Sequence, residues 1–395
     1  MNNARQSNKQ GCKLIASLLV LIILVTSLVG CGEFASAVNT AWSELFQSVN
    51  AESTPPSSYP VMENVTELRD FLRESVENGE DSPIITYNGD FKDISARNIA
   101  RIMAAYYVTV RKLSGQEKDV QIEITPYPGE RIVDAYRSGD TSQLSEDELS
   151  ALNEAIQVAE DAKAQADTPV EIELYLHDWL CDRVTYYDGD FSIENANHVV
   201  RPLTALGAIL DGQANCQGYT DAFYLLASVA GFDVGRQSCN APDGGHMFNT
   251  IRMGGKWYIV DVTFNDDTYL DQDSAYIDYR LFNAGIDVCG EYTWPEEYQH
   301  LPLVEQSDEY YYYNLTDDYS NAHGYKKAYD DLASMAKGIA ELHRAGKDDF
   351  VYMMLKGEAN SNQLKSALIA EGMDSRVSIW ALQVGENTFF YFRFE

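Results

Sequence analysis

Cys216, His246 and Asp261 follow one another along the chain, each in a setting that suits thiol chemistry. Cys216 stands in Gly212-Gln213-Ala214-Asn215-Cys216-Gln217-Gly218-Tyr219 and His246 in Gly244-Gly245-His246-Met247-Phe248-Asn249. Asp261 stands in Trp257-Tyr258-Ile259-Val260-Asp261-Val262-Thr263. The nucleophile of such chemistry is the thiolate, whereas a free cysteine, with a reference pKa of about 8.5, is mostly protonated at neutral pH. A cysteine that opens a helix meets unpaired N–H groups and a partial positive charge. These favour the thiolate and can also hold the oxyanion of a tetrahedral intermediate. A histidine beside it can carry the proton, and a carboxylate can orient the imidazole.

Two elements have to bring these side chains together. Tyr219 to Ala230 reads as a helix closed by Gly231, with the loop Asp211-Gly212-Gln213 and Cys216 ahead of it. Strands are expected at about 234–238, 246–253 and 256–263, and Gly254-Gly255 is a strong two-residue hairpin signal. With that turn, 253 pairs with 256, 252 with 257 and 248 with 261. His246 shares a face with Phe248 and is the diagonal neighbour of Asp261, roughly 7–8 Å away at the backbone and within reach of side chains. A slip of one residue would put the pair on opposite faces. Singly, each residue has a plainer reading. A cysteine before a helix is usually structural, a strand histidine is usually a satisfied semi-buried group, and an aspartate can cap a strand end. Order and compatible register together favour a site. His177, His198, His300 and His323 lack such partners, and His177, on a helical stretch with Trp179, reads as core.

Around this centre the chain is globular in composition, with 45% apolar and 12% aromatic residues over 395 positions, enough for two or three small domains. The net charge is -32. Residues 1–30 hold Arg5, Lys9 and Lys13 and no acid, so the remainder carries -35. Such a surface repels nucleic acid and anionic headgroups, and no nucleic-acid partner is expected. Arg5, Lys9 and Lys13 followed by the apolar run Leu14–Val25 read as an export signal, too short to span a bilayer comfortably. Leu28-Val29-Gly30-Cys31 resembles a bacterial lipobox, which would make Cys31 the lipid attachment site and the acyl chains the protein's membrane contact. Cys181, Cys216, Cys239 and Cys289 then remain. Without a CxxC pair they do not suggest structural zinc, and they make no disulfide framework, although a Cys181–Cys239 or Cys239–Cys289 bridge stays open.

The expected organisation is a signal peptide (1–31), a flexible tether (32–60), an α/β module (61–140), a central domain (141–305) and a C-terminal α/β module (306–395). In the first module, helices start at Asn64 and span 94–107, with strands at 84–87 and 120–124. Helices also start at Ser145 and Thr168. The last module reads helix 326–344, strand 349–355, helix 360–371 and strands 376–384 and 387–394. Tyr310–Tyr313 suit a half-buried strand. Asp266, Asp267, Asp271 and Asp273 lack calcium-loop spacing and read as a solvated loop, with a cation site as the minority view. No internal repeat is legible.

Residues 170–265 resemble the transglutaminase-like superfamily, whose core has papain-like topology. The pieces that carry the resemblance are His177-Asp178-Trp179-Leu180 with Val184-Thr185-Tyr186, Leu203-Thr204-Ala205-Leu206 before Asp211-Gly212, and the three segments around Cys216, His246 and Asp261. Phe248 stands where the family often has tryptophan. The resemblance implies an α+β fold in which a helix carrying the cysteine packs on an antiparallel sheet carrying histidine and aspartate. It also implies Cys216 as nucleophile, His246 as base and acid, and Asp261 as the group orienting His246. A membrane-anchored, extracytoplasmic cysteine enzyme acting on peptide or glutamine-type amides through a thioester is therefore expected, with no metal or organic cofactor. Hydrolysis is favoured over transfer to an amine, because water needs no acceptor site. The alternative is an inactive surface binding protein with the same fold. Gln213 and Gln217 are candidates for a second oxyanion donor.

Overall fold

The computed structural model describes residues 59–113, 118–189, 201–241, 244–266, 277–290, 292–293, 304, 306–315, 327–346, 352–373 and 377–394. Residues 59–126 alternate strand and helix: β1 (Val61–Met62), α1 (Val65–Glu77), β2 (Ile84–Tyr87), α2 (Ala96–Met103), β3 (Tyr106–Lys112) and β4 (Asp119–Pro126). The Asn64 side chain caps α1 by accepting from the Glu67 N–H at 2.9 Å. The strand order is β1-β2-β4-β3, with β1 and β2 parallel and the other pairs antiparallel. Leu68 and Leu72 of α1 and Ile99 and Ile102 of α2 bury Ile85, Val120 and Ile122. The helix expected over 94–107 ends at Met103. Ala104 turns left-handed at φ 48, and Tyr106 and Tyr107 pair with β4. The run Tyr-Tyr-Val-Thr-Val prefers a pleated, half-buried surface to a helix.

The central part contains α3 (Pro128–Ser138), α4 (Glu146–Gln165), α5 (Pro169–Arg183), β5 (Thr185–Tyr186), β6 (Gln213–Ala214), α6 (Cys216–Ala230), β7 (Val234–Ala241), β8 (Gly244–Met253), β9 (Lys256–Val260) and α7 (Val262–Asn265). Capping boxes start α4 (Ser145 with Glu148) and α5 (Thr168 with Glu171), each satisfying two otherwise orphaned N–H groups. Every residue of α6 from Gly218 to Val229 is buried. A helix buried all round needs cover on every side. It packs against α3, α4 and α5 and against β8 and β7 of the antiparallel sheet β7-β8-β9. Although α3 falls within 61–140, its Ile132 and Val133 lie in this central core.

The C-terminal part runs β10 (Ala328–Tyr329), α8 (Leu332–Arg344), β11 (Tyr352–Lys356), α9 (Ser361–Ala370), β12 (Val377–Val384) and β13 (Asn387–Phe394). Residues 328–329 form an edge strand where a helix was expected to have begun, and α8 starts only after its cap, Asp331. The strand order β10-β11-β13-β12, with a parallel first pair, repeats the N-terminal sheet, helices included. The two flanking modules thus share a topology that no sequence repeat announces. Met335, Ile339, Leu364 and Leu368 cover Met353, Leu355, Phe390 and Phe392 on one face of this sheet. Met354, Val384 and Phe389 join the central core. Tyr311, Tyr312 and Tyr313 are buried against that core, Tyr312 and Tyr313 in a short 3-10 turn rather than a strand. The chain is mixed α+β.

Candidate active site

Cys216 is the first residue of α6 and is half-buried. The cap, Asn215, accepts through Oδ1 from the Gln217 N–H (3.1 Å) and the Gly218 N–H (3.2 Å). Those two amides are therefore spent on the helix end, and the Cys216 N–H is the candidate oxyanion donor. Gln217 Nε2 donates to the Leu203 carbonyl at 3.0 Å, which takes this side chain away from the sulfur. Gln213 is exposed on β6. Gly218 explains its own identity: a Cβ there would lie 2.3 Å from the Pro202 carbonyl oxygen. The Asn215 N–H donates to that same oxygen at 3.0 Å, so the loop and the start of α6 sit backbone to backbone.

The hairpin forms in the expected register. Gly254 (φ 55) and Gly255 (φ 88) are both left-handed, as a type I′ turn requires. Met253 pairs with Lys256, Arg252 with Trp257 and Asn249 with Val260. The strand expected to reach 263 stops at Val260, because Asp261 caps α7, with Oδ1 accepting from the Phe264 N–H at 3.1 Å. Its other oxygen, Oδ2, lies 2.6 Å from His246 Nε2, and both side chains are buried. The imidazole stacks on Phe264 at a centroid distance of 4.3 Å, with the rings 13° apart. Cys216 bears on the imidazole as well, and its charge and hydrogen bonding add to the rise of the His246 pKa. With Nε2 turned to Asp261, Nδ1 is the ring nitrogen that serves the sulfur. The structure thus brings Cys216, His246 and Asp261 together. Burial pulls the imidazole pKa down, but the charge and hydrogen bond of Asp261, then those of Cys216, outweigh it and push the value up to about 10.

Sequence reading missed Tyr292. Its hydroxyl donates to Asp261 Oδ2, and its ring lies 5.7 Å from that of His246 and 5.3 Å from Phe248. It belongs to residues 264–305, rich in Asp, Tyr and Asn, where no periodicity could point to it. A second missed residue is Asp221, fully buried five positions after Cys216. Its Oδ2 accepts from the Gly129 and Ala205 N–H groups, and its Oδ1 from Arg236 at 2.7 Å. One carboxylate thereby fastens α6 to α3, to the loop before the cysteine and to β7.

Cys181, Cys239 and Cys289 are free and buried, with no bridge between them among the described residues. Burial raises all three thiols. His177 is fully buried between Asp178 (2.9 Å from Nδ1) and Asn265 (3.0 Å from Nε2) and packs on Phe282, as a core residue should. Asp266 accepts from Tyr219 at 2.5 Å, while Asp267, Asp271, Asp273, Cys31, His198, His300 and His323 lie outside the described residues. Among the described residues, no group of His, Cys, Asp and Glu could hold a metal ion, and no helix is long and apolar enough to cross a membrane.

No protein-family model matches the chain. No curated protein matches it either. Among solved structures it is similar to a TGase, at 13% identity and a TM-score of 0.24, over 52% of this chain and 59% of that one. It is also similar to a candidate cysteine protease from Cytophaga hutchinsonii (12% identity, TM-score 0.24, 54% and 69% covered). A third likeness is to a candidate protease from Parabacteroides distasonis (8% identity, TM-score 0.26, 80% and 66% covered). The chain spans less than two thirds of the TGase. Likenesses with TM-scores this low do not establish kinship.

Proposed function

We propose that the protein is a cysteine enzyme that opens peptide or glutamine-type amides through a thioester on Cys216. The observation that carries this reading is the convergence of a half-buried thiol at a helix start, an imidazole and a buried carboxylate. In the proposed cycle the Cys216 thiolate attacks the amide carbon while His246 is the imidazolium. The oxyanion is held by the Cys216 N–H. The imidazolium then gives its proton to the leaving amine, the C–N bond breaks and the thioester remains. Water attacks the thioester, His246 takes its proton, and the C–S bond breaks to release the acid and restore the thiolate. A primary amine entering in place of water would give transfer instead, and hydrolysis is favoured because it needs no acceptor site. Asp261 keeps the imidazole oriented and balances its charge.

Thiol labelling tests this reading. Near neutral pH, iodoacetamide should modify Cys216 quickly, as followed on its peptide by mass spectrometry, and His246→Ala should slow it at least about ten-fold. Cys181, Cys239 and Cys289 should stay unlabelled in the folded protein. Sluggish labelling of Cys216 that His246→Ala leaves unchanged would point to a binding protein without catalysis. Incorporation of a labelled primary amine into a glutamine-bearing protein separates transfer from hydrolysis. Lipid anchoring at Cys31 on the outer side of a bacterial membrane is part of the same proposal. It rests on the lipobox-like Leu28-Val29-Gly30-Cys31. Cys31→Ala should release the protein from membranes or leave it unprocessed, and unaltered retention with normal processing would exclude the anchor.

A further inference from the structure

Tyr292 stands outside the segments that carry the family resemblance, yet it touches the heart of the site. Its hydroxyl donates to Asp261 Oδ2, the same oxygen that faces His246 Nε2. Its ring leans on the imidazole, on Phe248 and on Phe264, so the carboxylate and the imidazole meet inside an aromatic box. The backbone next to it is pinned. Asn240 and Thr293 exchange both N–H···O bonds, at 3.0 and 2.9 Å, tying this stretch to the end of β7. Tyr292 is therefore placed by the sheet that carries His246.

We propose that Tyr292 is a positioning residue of this site: its hydroxyl fixes the Asp261 carboxylate and draws off part of the charge that the carboxylate offers to His246. The inference rests on the catalytic reading of Cys216, His246 and Asp261. Asp261 Oδ1 is held by the Phe264 amide, so the phenol is what orients the oxygen that meets the imidazole. Burial, then the charge of Asp261, holds the phenol well above its usual range, so Tyr292 stays protonated and stays a donor. A donor on a carboxylate lowers the charge felt by a neighbouring imidazolium, and removing the donor strengthens that pair.

The other titratable groups facing this cluster are Cys216 from α6, Cys239 from β7 and Cys289 from the adjoining loop, with Arg101 of α2 bearing on Cys239. Burial raises the Cys239 and Cys289 thiols, and an arginine keeps its charge throughout. The step to watch is thus the loss of the His246 proton, seen as the upper step in the pH profile of Cys216 labelling.

The full-length protein carrying Tyr292→Phe, checked for native circular dichroism, is labelled with iodoacetamide across pH. The upper step should move up by roughly one pH unit, since the imidazolium now faces a more fully charged carboxylate. Replacing Tyr292 alone by 3-fluorotyrosine keeps ring and hydroxyl, strengthens the donor and should move the same step down. A purely structural role for Tyr292 predicts lower stability with the step unmoved. A wild-type step that neither variant moves overturns the proposal and leaves the catalytic reading intact. A wild-type profile with no fast labelling and no upper step removes both.

Discussion

At the scale of residues, His246 carries the strongest consequence. Its pKa is raised from 6.5 to about 10 against the pull of burial. A group raised on folding contributes stability that is fully present below its unfolded value and is lost as pH rises through the folded one. The imidazolium should therefore support the fold below about pH 6.5 and cease to do so by about pH 10. Urea denaturation of wild type and His246→Gln across that window checks the sign: the gap between them should narrow as pH rises, and a constant gap would contradict it. The three principal residues were legible because each lies in a local pattern with a geometric meaning. A helix start, a double-glycine turn and the alternation of strands fix their facing directions without long-range knowledge. Tyr292 was not legible, because its role depends on where an irregular stretch lands. The fate of the Gln217 side chain was equally hidden. The amide that looked available to an oxyanion is spent on a carbonyl fourteen positions earlier.

At the scale of elements, caps with their partner three residues away were readable, as at Asn64, Ser145 and Thr168. Helix α3 was not. Its cap, Tyr127, makes no side-chain capping hydrogen bond, and its opening Pro128-Gly129 resembles a turn. The Gly129 N–H finds its partner in Asp221, 92 positions on, at 3.0 Å. There is no room for a side chain at Gly129, where a Cβ would lie 2.4 Å from Asp221 Oδ1. Asp221 is thus the clamp that replaces a local cap. Asp221→Ala would leave Arg236 buried with only Glu130 (2.5 Å) as counter-charge and would orphan two amides. Breaking a buried pair this way costs about 3–5 kcal/mol, and chemical denaturation should register a loss of that size. Because the clamp grips α6 only five residues from Cys216, labelling of the cysteine should slow in the same variant. A folded Asp221→Ala protein of unchanged stability would contradict the clamp.

At the scale of the molecule, three separate apolar clusters hold the described residues together: one in each flanking module and a larger one around α6. Their contents differ in their ties. Phe389, Val384 and Met354 join the C-terminal sheet to the central core, with the Phe389 ring 5.4 Å from Tyr313. The N-terminal module keeps its own cluster, made entirely within residues 62–124. Scanning calorimetry should accordingly show unfolding in more than one step. A single transition with equal calorimetric and van't Hoff enthalpies would mean that the clusters melt as one. The shared strand order of the two flanking sheets escaped the sequence for a physical reason. A topology constrains which positions are apolar but not which apolar residue fills them, and the leading parallel strands are only two residues long. Helix α6 was easier to read because Gly231 closes it, and the β8–β9 hairpin because Gly254-Gly255 marks its turn.

The two oxygens of Asp261 answer to different masters. One closes the turn that follows β9, and the other serves the imidazole. The Cys216 sulfur closes no turn, since the cap of its helix is Asn215. A descendant of this chain that abandoned chemistry could exchange its sulfur for a small inert side chain at little cost, while pressure to keep the polypeptide folded would go on preserving the acid. Among distant kin, a surviving aspartate at this corner would therefore be poor testimony of activity, and the presence of the sulfur much better testimony.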